Sequence, residues 1–516
     1  MKIIYVDVDS LRPDHTGPYG YQRATTPNLD RLAERSVRFD NYYCSDSPCL
    51  PSRTALVSGQ FGITNGIVGH AGDSARFRLE SGHAPEPGRP TLAQALVRQG
   101  YRTAVLSSFA ERHRAYHFNA GFLDTMQTTP DVGDEPADKV TDVAVDWIRR
   151  HRDVDDWYLH VTYWDPHTDY LQPAEWTERA AASGPAPEWP DQAAIDEHTR
   201  VYGPRSALDL HYAGAPRTNR VPHNMPDEVR TRADFEHLIN GYDGAIMYWD
   251  HHFGRLLDAL EEMGISDEVA VVVSADHGES FGELGSYAEH GLASEPVNHI
   301  PLVFFWPGVT DDGRQRSYDH LLYNIDYAPT ILELVGAGEK PEKWQGTSFA
   351  PLLRDQEQEG RDHLVLGHGA HTFQRSVRTR THMYTRTYHP GSFLAEWESL
   401  WDMEADPHQT ENLLEKDPET VDRMRSMLLQ WWHELAATPG ALPDPMQISL
   451  QTGPTLYSDP VEFEAYLRRT GRTEAADDLA ERLRPRNGAV PVSWHAQRPI
   501  TLHWGRREAQ RTGAED

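Results

Sequence analysis

Val269-Ala270-Val271-Val272-Val273-Ser274-Ala275-Asp276-His277-Gly278-Glu279 is the stretch that fixes the class of this chain. From Val269 to Ser274 no residue is charged and valine dominates, as in a strand buried on both faces. Asp276, His277 and Glu279 follow at once. A strand covered on both sides belongs to a parallel sheet between helices, and in such sheets ligands bind beyond the carboxyl ends of the strands. The abrupt change at Asp276 is therefore where a site is expected.

The same design recurs along the chain. Ile3 to Val8 reads as a buried strand and runs into Asp7-Val8-Asp9-Ser10-Leu11-Arg12. Trp157 to Tyr163 runs into Asp165-Pro166-His167, and Tyr101 to Ser107 and Leu302 to Trp306 are further strands. Helical patterns lie between them. Thr26-Pro27 opens one, Thr91 and Gln94 form a capping box ahead of Gly100, Val140 to Ile148 carry an apolar stripe, and a long stripe from Phe235 to Leu260 ends at Gly264. The alternation implies an α/β fold, a mostly parallel sheet sandwiched by helices. Residues 173–230, rich in Pro, Ala and charge, read as an insertion of loops and short helices. After residue 360 short antiparallel strands are expected at 364–366, 375–378 and 383–385, then an amphipathic helix over 418–435. The expected organisation is a catalytic α/β domain over 1–360 and a smaller antiparallel sheet-plus-helix subdomain over 361–440. An extension over 441–516 would pack on the core or be partly loop, with a polar helix near 474–483 and a charged tail.

The 516 residues carry a net charge of -30, which argues against a nucleic-acid partner. An anionic substrate would need a strongly positive local site. Cys44 and Cys49 are the two cysteines; they make no disulfide framework and could close at most one short loop. Asp7 and Asp9 interrupt any apolar leader, and no apolar run approaches a membrane span, so a cytoplasmic protein without a membrane partner is expected.

The carboxyl ends of three strands carry Asp or His, and Cys49-Leu50-Pro51-Ser52-Arg53 stands at an expected helix start. Together these groups would converge on one site. Hard oxygen ligands with one imidazole suit Ca²⁺ or Mg²⁺. No cysteine pairs have finger spacing, which argues against a thiolate-rich zinc site. Each residue also has an ordinary reading: Cys49 as a buried thiol, Asp276-His277 as a helix cap, His167 as a structural neighbour of Pro166.

Seven stretches, in order, resemble landmarks of the type I sulfatases, a formylglycine-dependent family of the alkaline-phosphatase-like superfamily. They are Asp9 to His15, Gly17-Pro18-Tyr19-Gly20, Thr26 to Asp30, Cys49 to Gly59, Asp276 to Glu279, Pro301 to Gly308, and Leu400 to Pro407 with Asn412-Leu413. The resemblance covers most of residues 3–435. It implies the alkaline-phosphatase-like fold with a smaller C-terminal antiparallel subdomain. It implies that a maturation enzyme converts Cys49 to formylglycine, and that Asp9, residue 49, Asp276 and His277 bind one Ca²⁺, with Mg²⁺ or Mn²⁺ as alternatives. A hydroxyl of the hydrated aldehyde would attack the sulfur of a sugar or small organic sulfate ester and release the alcohol; proton loss from the second hydroxyl would then expel sulfate. Asp276 would orient or deprotonate the attacking hydroxyl, Arg53 would stabilise the hydrate and the developing charge, and His167 would protonate the leaving oxygen. His290 would contact the substrate.

Two places depart from the pattern. Ser10 stands where many relatives have a second Asp, and Asp7, on the same strand face as Asp9, could compensate. Many relatives carry Lys-x-His after the 101–107 strand; here Arg112 on the substrate side and His113 on the catalytic side are expected to replace it. His70 and His117 stand outside the pattern, among 27 histidines. Phosphonate monoester or phosphodiester hydrolysis on the same fold, and an unmodified metal-binding pseudoenzyme, are the competing readings.

Overall fold

In the computed structural model, which describes residues 1–78, 89–128, 134–211, 224–437, 441–450, 453–454 and 460–484, the valine run forms the strand Val269–Ala275, buried along its whole length. It belongs to a sheet of eight strands. These are β1 (Lys2–Val8), β2 (Val37–Phe39), β3 (Arg102–Leu106), β4 (Asp124–Met126), β5 (Trp157–Tyr163), β6 (Val269–Ala275), β7 (Leu302–Phe305) and β8 (Arg316–Tyr318), in the order β8-β2-β7-β6-β1-β5-β3-β4. β1 pairs in parallel with both β5 and β6, and Val8 stands level with Tyr163 and Ala275. Asp9, Trp164 and Asp276 therefore leave the sheet side by side. Register alone brings two of the polar clusters together.

β7 runs antiparallel to both neighbours, β6 and β2, in a sheet whose other pairings are parallel, as a mostly parallel sheet allows. Only a one-turn helix, Glu295–Asn298, lies in the residues just before it. A parallel return needs a crossover of a dozen or more residues that carries the chain back along the sheet, usually a helix. The chain here instead uses residues 276–300 to build the site wall. β2, β4 and β8 have three residues each, too short for a periodic signal.

The helices form where their caps and stripes place them. They are α1 (Pro27–Ala33), α2 (Cys49–Ser58), α3 (Leu92–Arg98), α4 (Ala137–His151) and α5 (Arg232–Glu262). Thr91 and Gln94 make the expected capping box on α3, and Thr231 with Asp234 makes one on α5. Asp250, buried on α5, caps α1 from outside. Its two carboxylate oxygens accept from the Asn28 and Leu29 backbone N–H groups at 3.0 and 2.9 Å. Asp165 does the same for α4, accepting from Ala137 N–H at 3.0 Å. Its place at a strand end is thus structural.

A second, antiparallel sheet comprises Leu364–His368, Phe373–Arg378, His382–His389 and Glu398–Asp402, and Val421, Met424 and Leu428 of helix Pro418–Ala436 pack on it. Its edge takes up the two-residue strand Asp46–Ser47 in parallel, Ser47 beside His368. The second sheet therefore fixes the chain immediately ahead of Cys49. The helix near 474–483 is present as Thr473–Arg482. Pro460–Arg469, in the extension expected to be partly loop, is also a helix, with proline at its first turn. Phe463, Leu467, Ala476 and Leu479 pack on Tyr202 of the 173–230 insertion, and Arg472 pairs with Asp209. The charged tail lies outside the described residues. Among the described residues, no helix is long and apolar enough to cross a membrane.

The Asp250 cap gives a stability test. Asp250→Ala removes the acceptor of two N–H groups in the first turn of α1. It should cost about 1–2 kcal/mol, read as a lower urea midpoint at unchanged slope. No shift in midpoint would mean that water satisfies those donors equally well.

Candidate active site

Cys49 is the first residue of α2, a helix whose ten residues are all buried. The helix is pinned to the end of β6: the Ser52 hydroxyl donates to the Asp276 carbonyl at 2.5 Å, and Asn324 Nδ2 donates to the Ser52 carbonyl at 3.1 Å. One turn after Cys49, Arg53 points at the sheet. Its Nε donates to Asp7 Oδ2 at 2.7 Å, Nη2 to Asp7 Oδ1 at 3.2 Å, and Nη1 to Asp9 Oδ2 at 3.0 Å. Nη1 also lies 2.7 Å from Asp276 Oδ2. Asp7 is further held by His160 Nε2 at 3.1 Å, so it secures Arg53 and is not free to join Asp9 as a ligand.

One guanidinium thus faces three buried carboxylates. Burial would raise all three. Arg53 overcomes that for Asp9, whose carboxyl is held well below the usual range. Asp276 is pushed up to about 6, by burial first and by Asp9 in addition, against the pull of Arg53. Burial, then Asp9 and Asp276, push the Cys49 thiol well above its ordinary range. A thiol so placed is a poor thiolate nucleophile.

Asp9, Cys49, Asp276 and His277 each offer a ligand atom, all within 4.8 Å of one another. His277 Nδ1 donates to the Gly278 carbonyl at 2.9 Å, which turns Nε2 toward the cluster. That nitrogen lies 3.1 Å from Cys49 Sγ, 3.4 Å from Asp276 Oδ2 and 3.8 Å from Asp9 Oδ1. Asp276 Oδ2 is buried and makes no hydrogen bond, despite its closeness to Arg53. Three carboxylates on one arginine leave two negative charges to be balanced. A divalent cation fits that charge, and the oxygen-rich donor set suits Ca²⁺ or Mg²⁺. Ser10, with φ of 63°, donates its hydroxyl to Asp9 Oδ1 at 3.0 Å and its backbone N–H to Asp276 Oδ1 at 3.2 Å. It orients both carboxylates without adding charge.

The substrate-side residues expected from sequence also reach this place. The His290 ring is 4.3 Å from that of His277 and 5.4 Å from that of His167. His167 stacks on Trp164 at 4.1 Å, and Arg112 lies over the same indole at 3.7 Å. Arg112 and His113 line a pocket shared with Asp9, Arg53 and Trp164. Burial pushes His167 down to about 3 and His290 well below the usual imidazole range. Sequence reasoning set His70 aside, yet its Nε2 accepts the Leu50 N–H at 3.3 Å and its ring stands 4.9 Å from that of His113. His371 was missed altogether. It arrives from the second sheet, its ring 5.7 Å from that of His290. His117 remains outside, stacked on Phe77 behind α2. Glu279, the last residue of the opening stretch, turns away to Tyr170 and Thr168.

Residues 2–337 match the sulfatase family model, and residues 282–435 match the C-terminal region of N-sulphoglucosamine sulphohydrolase. The chain is 23% identical over 480 residues to an N-acetylglucosamine-6-O-sulfatase of Bacteroides thetaiotaomicron, covering 80% of this chain and 82% of that one. In fold it is similar to a protein solved with its substrate D-glucosamine-2-N,6-O-disulfate (TM-score 0.66, 19% identity, 84% of this chain and 97% of that one). It is also similar to a phosphonate monoester hydrolase of Agrobacterium radiobacter (TM-score 0.64, 18% identity, 86% and 97%).

The raised carboxyl of Asp276 sets a pH dependence. Below about 6 the cation-free site holds a proton there, and a cation must displace it. The rise in melting temperature caused by added Ca²⁺ should therefore be full at pH 7.5 and shrink as pH falls through 6, the affinity dropping by up to about tenfold per unit. Calorimetric titration of Ca²⁺ at several pH values checks this. Stabilisation that stays constant down to pH 5 would rule out Asp276 as a ligand.

Proposed function

The chain belongs to the sulfatase family and is a sulfuric ester hydrolase; we propose that it acts through formylglycine made from Cys49, with a divalent cation, Ca²⁺ foremost, held by Asp9, residue 49, Asp276 and His277. The observation that carries this is the placement of Cys49. Its thiol is buried, pushed away from thiolate, and packed among three cation donors, with Arg53 one turn on. Such a position wastes a thiol and suits an oxygen nucleophile.

The cation, when bound, supplies Lewis acidity to the sulfate oxygens and lowers the pKa of a hydroxyl beside it. The chain supplies the rest. Asp276 accepts the proton of the attacking hydroxyl of residue 49, Arg53 keeps Asp9 and Asp276 oriented and charged, and Arg112 draws in the anionic ester. His167 gives its Nε2 proton to the leaving oxygen, and His290 lines the same wall. Burial keeps His167 neutral before substrate arrives, and the negative charge of the ester raises it into use. Two hydroxyls on one carbon let residue 49 shed sulfate by losing the second proton, which a serine could not do.

Residues 42–63 are all buried. A maturation enzyme would therefore have to reach Cys49 before this region folds. The substrate class favoured is a sulfated amino sugar, since N-acetylglucosamine-6-O-sulfatase and glucosamine disulfate appear among the relatives. Phosphonate monoester hydrolysis is the second reading, favoured by the likeness to that hydrolase.

Mass spectrometry of the peptide spanning residue 49, from the native host, should show the aldehyde in place of the thiol; an intact thiol in active protein would sink the mechanism. Glucosamine 6-sulfate should turn over faster than a phosphonate monoester, and the reverse order would favour the second reading. His167→Ala should lower kcat on a sugar sulfate by about 10²–10⁴-fold. On nitrophenyl sulfate, whose leaving group needs no proton, the loss should be far smaller. Equal losses on both esters would remove His167 as the proton donor.

A further inference from the structure

Residue 49 belongs to two donor sets. Besides the oxygen-rich one, Cys49 Sγ and one ring nitrogen each of His167 and His290 lie within 4.8 Å of one another. All three residues are more than nine-tenths buried, at 4%, 9% and 4% exposure. His167 Nδ1 donates to the Thr168 carbonyl, so in the neutral ring Nε2 carries the lone pair. An imidazole whose other nitrogen is tied to a carbonyl is how metal-ligating histidines are held. His290 Nδ1 is buried and makes no hydrogen bond. One thiolate and two imidazoles suit a borderline-soft cation, and three protein ligands leave the fourth tetrahedral position open.

We propose that the unconverted, thiol form of this chain holds a Zn²⁺-class cation on Cys49 Sγ, His167 and His290, a site that overlaps the oxygen-rich one and vanishes when Cys49 is oxidised. Tetrahedral zinc with ligands at roughly 2.0–2.3 Å needs its donors about 3.3–3.8 Å apart. The three atoms need close by no more than about 1–1.5 Å from their widest separation to reach that geometry. As the Zn–S bond forms, the thiol proton leaves to solvent, and no oxidant or reductant is involved. The negative charge of Asp9 and Asp276 nearby compensates the incoming cation. Conversion of Cys49 removes the sulfur, and position 49 passes from the soft set to the hard one. Zn²⁺ on the folded thiol form would then occupy the place of the substrate and mark unconverted chains as inactive. The inference does not depend on the sulfatase reading, because it concerns thiol protein and involves no turnover.

Co²⁺ is the probe. Full-length protein with an intact thiol at 49, confirmed by mass, is stripped of divalent cations and then titrated with Co²⁺. One equivalent should bind with a thiolate-to-cobalt charge-transfer band and the intense visible absorption of tetrahedral cobalt, and one equivalent of Zn²⁺ should displace it. His167→Ala and His290→Ala should each weaken binding at least about tenfold. Cys49→Ala should abolish the charge-transfer band, whereas His277→Ala should keep it. Circular dichroism confirms that each variant is folded, and His290→Gln serves if His290→Ala is not. The proposal is overturned if no thiolate band appears, if the band survives loss of His167 and His290, or if it is lost with His277 instead.

Discussion

The guanidinium of Arg53, gripped by Asp7 and Asp9 and set against Asp276, is the interaction on which the site depends. It joins β1, α2 and the end of β6 at one buried point. Removing one partner from such a group typically costs about 3–5 kcal/mol, because the others are left as uncompensated charge. The arrangement is also incomplete in itself. One positive charge cannot balance three negative ones, and that deficit distinguishes the place from a structural ion pair. Fold and charge are thus one electrostatic fact: Asp9 and Asp276 follow β1 and β6 side by side with Arg53 set against both, and the charge left over would suit a cation.

The second sheet completes this centre. Asp46–Ser47 pairs with its edge directly ahead of Cys49, and the Ser47 hydroxyl meets His368 at 2.9 Å. Farther out, Phe393 fills the space between Gly203 and Gly291, where a side chain on Gly291 would collide with it and one on Gly203 would fit only tightly. Leu394 N–H donates to the Tyr202 carbonyl and Tyr202 donates to Asp478, so the terminal helices brace the wall that carries His290. Residue 49 is held from both sheets, with α2 pinned to the end of β6 and the chain ahead of it paired with the second sheet. The wall around the substrate is assembled from loops, the insertion and the C-terminal parts.

That division explains what could be read beforehand. Asp9 and Asp276 were legible because each follows a buried strand, and parallel register forces neighbouring strand ends together. Cys49 and Arg53 were legible as one turn of helix. The role of Asp7 was not, since period-two spacing places it on the face of Asp9 but says nothing of the arginine that claims it. Asp165 looked like a site residue by the same strand-end rule and instead caps α4, because a carboxylate beyond a strand serves a helix N-terminus equally well. His70 and His371 had no local signal. Their positions come from long-range packing, of His70 on the first turn of α2 and of the 369–371 turn on the catalytic wall. The direction of β7 was equally hidden, because it follows from what residues 276–300 build.

Charge also bears on which ester the site accepts. With a divalent cation in place, Asp7, Asp9 and Asp276 are balanced by the cation and Arg53 together. Arg112, over Trp164, and the buried Glu135 line the shared pocket beside that centre, and burial holds His167 and His290 neutral. A buried centre so close to neutral charge favours a substrate with one negative charge over one with two. A sulfate ester carries one, as does a phosphonate monoester; a phosphate monoester carries close to two at neutral pH. On charge alone sulfate esters and phosphonate monoesters would be treated alike and phosphate monoesters disfavoured, which would leave the choice between the first two to the shape of the wall that His290, His371 and Phe393 form.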